Sequence, residues 1–142
     1  PQLERDRSNI SGPVLAGSDI HIEVPAVAFQ ELSNGSRGTS SAAMREMVLS
    51  ARTAQEERFA GERVRHNGQM SSRQVREHCK LEKEGMSILT SSVNEMGLSA
   101  RAHDKVLRVA RTIADLDQCS SISAQHIHEA VNYRMLDRQM WT

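Results

Sequence analysis

The chain has 142 residues, with Lys plus Arg and Asp plus Glu both at 18, and aromatics at 3%. That length suffices for one ordinary domain with its own core. A formal charge of zero gives no overall pull toward nucleic acid or an anionic membrane, and so few aromatics exclude a stacking platform for single strands.

Residues 1–37 differ from the rest. Ile20, Ile22 and Val24 alternate with Asp19, His21 and Glu23, which predicts a strand over about 19–24 that Pro25 ends. A lone strand needs partners, and no other stretch supplies one. Ser33 to Ser41, SNGSRGTSS, is a linker by composition.

From about Ser40 the pattern is helical. Met44, Met47, Val48 and Ala51 recur at i, i+3, i+4 and i+7. Gly61 to Asn67 is a charged connection carrying Arg63 and Arg65, and Asn67-Gly68 favours a turn. Ser71 opens a second helix that runs to about Cys79. Gln74 completes a capping box there, and Met70 and Val75 form a hydrophobic staple. Leu81, Gly85, Ile88, Leu89 and Met96 mark a third helix, closed by Gly97 in a left-handed cap.

Ser99 caps the fourth helix, which reaches about Asp117. Ala102, Val106, Val109, Ala110 and Ile113 give it one apolar stripe, so Val106 and Ile113 are both expected in the core. Arg101, Lys105 and Arg108 share a separate face, and by spacing alone such a face is a solvated surface. Ser123 caps a fifth helix, with Ile122 and Ile127 as its staple and Ile127, Ala130 and Val131 as its apolar face. Arg134 to Thr142 extends or frays it. The pattern predicts an all-α bundle of four to five helices behind a strand and a linker.

Catalytic signatures are missing. There is no phosphate loop, no G-x-S-x-G and no HExxH. His78 and Cys79 are adjacent and so do not share a helix face, and no second pair stands at zinc spacing; no metal site is expected. Cys79 and Cys119 form no disulfide framework and read as reduced thiols. No apolar run approaches the roughly 20 residues of a membrane span, and no segment reads as a signal peptide, so the expected compartment is the cytoplasm.

A set of stretches then stands in a telling order. ISGP, DIHIEVP, ERFAG, RHNGQM and REHCKLE are followed by GLSARA, KVLRVARTIADLD and ISAQHIHEAVNYRMLDRQMW. Together they resemble the C-terminal part of the magnesium-chelatase-related AAA+ ATPases, in the branch of the YifB/ComM group. The resemblance implies that residues 38–142 are a C-terminal helical lid. Residues 1–37 would be the trailing end of the AAA+ core plus the linker, in a chain that is a piece of a longer protein.

The family's sensor-2 arginine, which reaches ATP phosphates, matches Arg101. ATP and Mg2+ are implied for the full-length ATPase, and no cofactor is expected for this piece alone. The implied partners are the protein's own core, neighbouring subunits of a ring that is usually a hexamer, and DNA during branch migration; no membrane is implied. Lys105, Arg108, Arg63 and Arg65 would then make DNA or neighbour contacts. Family members commonly read GPLLDRIDLHIEVP, with a finger arginine for a neighbour's ATP site. Here GPVLAGSDIHIEVP carries Ala16 and Gly17 in place of the acid and the arginine. Alternatives are a helical DNA- or protein-binding module with no nucleotide role, and subunit I of a true magnesium chelatase, which acts on a porphyrin.

Overall fold

The computed structural model describes Arg5, residues 8–35 and residues 37–134. The tail expected to extend the last helix lies, beyond Arg134, outside the described residues. Among them all regular structure is helical, in seven α-helices. These are α1 (Gly12–Gly17), α2 (Phe29–Ser33), α3 (Ser41–Arg58), α4 (Ser72–His78), α5 (Lys83–Met96), α6 (Ala100–Leu116) and α7 (Ala124–Asn132). A 3-10 turn at Asn67–Gln69 and one isolated bridge between Leu81 and Ile122 complete them. No helix among the described residues is long and apolar enough to cross a membrane.

The helix ends follow from their caps. Ser71 accepts from the amide of Gln74, whose side chain returns a bond to the amide of Ser71. Ser99 accepts from Ala102 at 3.2 Å, and Ser123 accepts from His126. Each bond satisfies an amide that the helix itself leaves unpaired. Gly97 closes α5 at φ 63°, a left-handed conformation that costs glycine little, and Leu98 folds back to bond Val93.

Helix α6 is the centre. It packs against α7, α3, α4 and the 3-10 turn, while α5 packs on α7. Val106, Ala110 and Ala114 of α6 are fully buried with Val75, Leu89, Ile122, Ile127 and Ala130. Its burial goes beyond the predicted stripe. Val109 and Ile113 are only partly buried, whereas Leu107, Arg111 and Asp115 are buried on other sides of the helix.

Three readings need correction. The expected strand over 19–24 does not form. Its apolar side chains are exposed, up to 78% at Val24, and no strand edge among the described residues accepts it. The segment runs as irregular chain, and the amide of His21 bonds the carbonyl of Tyr133 at 2.8 Å. Among the described residues, the stretches before Ser41 include the short helices α1 and α2, which periodicity did not reveal, the first with Pro13 near its N-terminus. Finally, the Met44, Met47, Val48, Ala51 face of α3 is buried only at Ala51, because no described element covers the first half of that helix.

Candidate functional site

The basic face of α6 borders an open cleft of about 600 Å³ lined by Gly17, Ser72, Ala100, Arg101, Asp104, Lys105 and Arg108. The sequence grouped its three cations, but the structure gives them different employment. Lys105 Nζ donates to the Gly17 carbonyl at 2.8 Å and to Asp19 Oδ1 at 2.7 Å. Arg108 donates through Nε and Nη2 to the Met70 carbonyl at 3.1 and 2.7 Å. Arg101 is exposed in the first turn of α6, and no described side chain pairs with it. It also borders a second, more apolar cavity of about 400 Å³ with Gly12, Pro13, Ala16 and Leu98.

Asp104 is the cleft's one carboxylate, and it is occupied. Its Oδ2 accepts from Ser72 at 2.6 Å, and His103 lies 3.4 Å from its other oxygen. Partial burial works against the charged form. The Ser72 and His103 bonds, with the charges of His103 and Arg108, outweigh it and hold the carboxyl below its ordinary value. The cleft therefore offers one uncommitted cation beside the positive end of a 17-residue helix, a combination suited to an anion.

Arg63 and Arg65 are exposed on the connection between α3 and α4 and do not line this cleft. His78 meets the ring of Phe59 edge-on at 5.3 Å. Among the described residues no three His, Cys, Asp or Glu side chains gather as a metal site.

Sequence reasoning missed a buried polar cluster further along the same side of α6, toward its C-terminal end. Arg58 grips Asp115 with two bonds of 2.8 and 2.5 Å and also donates to Asn67 Oδ1 at 2.9 Å. Asn67 Nδ2 donates to Asp115 at 2.8 Å and to Thr112 at 3.1 Å, and its amide donates to Gln55 at 2.9 Å. Arg111 sits 3.3 Å from Asp115 and donates to the carbonyls of Cys119 and Ser120. Burial pulls the Arg111 pKa below its ordinary value, against the attraction of Asp115. The signal was present in pieces: Arg58 stands in ERFAG, Asn67 in RHNGQM, and Arg111 with Asp115 at i, i+4 in KVLRVARTIADLD.

Cys79 lies buried near this cluster. Desolvation pushes its thiol up to about 11, against the pull of Arg111 and Arg58. An unfolded thiol ionises near 9.0, so between there and about 11 the folded state holds a proton that the unfolded state has lost. The contribution to stability is complete below that window and falls as pH rises through it. At about pH 8 iodoacetamide should label the exposed Cys119 and spare Cys79 until denaturant is added. Equal labelling of both in native protein, read by mass spectrometry, would contradict the burial of Cys79.

Comparison with known proteins adds the context. The family described as magnesium chelatase, subunit ChlI C-terminal, matches residues 38–134. The competence protein ComM of Haemophilus influenzae is 40% identical over 138 residues, which are 96% of this chain and 26% of that protein. The uncharacterized protein YifB of Escherichia coli is 39% identical over the same shares. A mycobacterial relative, the uncharacterized protein Mb2921c of Mycobacterium bovis, is 27% identical over 88% of this chain and 25% of its own length. The chain thus spans about a quarter of the length of the curated relatives it matches.

Proposed function

The chain belongs to the magnesium chelatase subunit ChlI C-terminal family, in its ComM/YifB group, and from that premise we propose that it is the helical lid of a ring-forming ATPase. Arg101 reaches the phosphates of bound ATP at a subunit boundary. One observation carries the reading: Arg101 is the cation of the α6 cleft that no described side chain engages, while Lys105 and Arg108 are held internally. A guanidinium fits phosphate oxygens with paired N–H donors.

Gly17, which stands where the family carries an arginine, lines the same cleft. An arginine there would lie beside Arg101, so this chain brings one cation where its relatives would bring two. The cleft's carboxylate is committed to Ser72 and His103, so the residues here fit phosphate and not Mg2+. The metal that accompanies ATP would be held by other parts of the full protein. Its partners in this reading are the protein's own core and the neighbouring subunits. If the ring remodels DNA, the exposed Arg63 and Arg65 suit backbone contacts better than the engaged Lys105 and Arg108.

The test is steady-state ATP turnover by the full-length protein. Arg101→Ala should lower it by at least about tenfold with unchanged circular dichroism, because the interaction lost is charge-assisted and the side chain lies outside the core. Arg101→Lys should restore only part, since an ammonium cannot form the fork. Turnover at the parental rate in Arg101→Ala would remove Arg101 as the phosphate contact.

A further inference from the structure

Four polar contacts converge on residues 15–21. Lys105 of α6 holds the Gly17 carbonyl and the Asp19 carboxylate. Arg134, just past α7 and buried, donates to the Ser18 carbonyl. The carbonyl of Tyr133 accepts from the amide of His21 at 2.8 Å. His21 itself is buried, and its Nε2 lies 2.9 Å from the Leu15 carbonyl. Beyond this short stretch the apolar side chains of Ile22, Val24, Val27 and Phe29 are all exposed.

We propose that Lys105 and Arg134 are positioning residues that clamp residues 15–21 across the ends of α6 and α7, so that Gly17 forms a fixed wall of the Arg101 cleft. The clamp's bearing on nucleotide rests on the phosphate reading above; its existence does not. The physical case is the mixture of groups. The carbonyls of Gly17 and Ser18, at the C-terminal end of α1, have no further helical turn to satisfy them, and cationic side chains supply strong donors instead. The Lys105 side chain is 12% exposed and the Asp19 side chain 63%, so one end of that ion pair is well shielded and the other faces water. Such a contact holds a segment in place yet opens without disturbing the core. The bundle is therefore joined to the preceding chain at two places. One is the covalent connection that enters α3 at Ser41. The other is this seam, about 20 residues earlier by the numbering.

Amide hydrogen exchange on the 142-residue chain, read residue by residue, tests it. The His21 amide should be protected in the parent and exchange about tenfold faster in Lys105→Met, while α6 and α7 keep their protection. Lys105→Arg should restore most of the protection, since it keeps a donor at that place. Asp19→Asn should give a smaller acceleration, because the Gly17 carbonyl stays bound. Arg101→Ala should leave the His21 amide at the parental rate, which separates failure of the clamp from failure of the phosphate reading. The clamp is overturned if Lys105→Met exchanges at the parental rate, if the parent shows no protection at His21, or if Lys105→Met loosens α6 and α7 equally.

Discussion

Val106→Asp should leave the chain without a cooperative thermal transition. Val106 has no exposed surface and sits midway along the helix against which α3, α4 and α7 pack. A carboxylate there would lie within the apolar core cluster. Burying it unpaired costs on the order of 4 kcal/mol or more, a large part of the stability of a domain this size. The sequence alone puts Ile113 beside it as an equal. The structure separates the two, because Ile113 is partly buried and borders a surface groove with Ile22, Met47 and Tyr133. Ile113→Asp can turn its charge toward water and should keep a cooperative, lowered transition. Parallel thermal melts decide the matter. A Val106→Asp midpoint near the parental one would mean that the buried face of α6 has been assigned wrongly.

Asp115→Ala should cost about 3–5 kcal/mol in urea denaturation, the usual range when one member of a buried ion pair is removed. The loss exceeds one bond because three side chains lose the same carboxylate together: Arg58, Arg111 and Asn67. Two of these are charged and substantially shielded, and desolvated cations without a counter-charge are the expensive part. Removing Arg58 as well should return some of the loss, since the double variant no longer confines that cation. A double-mutant cycle over Arg58 and Asp115 reads this coupling directly. Additive losses would mean that the two side chains do not depend on each other despite their contact.

These two sites mark how far the sequence could be read. Helix ends were legible because they are local: Ser71, Ser99, Ser123 and Gly97 act on amides and carbonyls within a few residues. The burial of α6 was legible on one side only. Periodicity assumes that the face away from the stripe meets water, and here α3 and the 3-10 turn cover it. Arg58 and Asn67 lie 57 and 48 residues from Asp115 in sequence, so nothing in local spacing announces their meeting. The candidate site followed the same rule. Arg101 could be picked out by its place in GLSARA, but Lys105 read as a free cation because its partner Asp19 is 86 residues away. The strand pattern of Ile20, Ile22 and Val24 was real as a pattern; a strand also needs an edge to pair with, and residue spacing cannot supply one.

Wrapping α6 on several sides also fixes its mechanical character. At 1.5 Å per residue its 17 residues make a rod about 25 Å long. Arg101 rides near one end, and Asp115 is anchored near the other, about 21 Å away along the axis. A rod gripped by α3, α4 and α7 cannot roll about its own axis or bend without breaking contacts along its whole length. It behaves as an axle rather than a hinge. Compliance is left to the joints at its ends, where Gly97 and Gln118 both take left-handed backbone conformations. A push on the guanidinium of Arg101 would therefore be felt at the Arg58–Asp115 pair as a displacement of the whole axle and not as a local repacking.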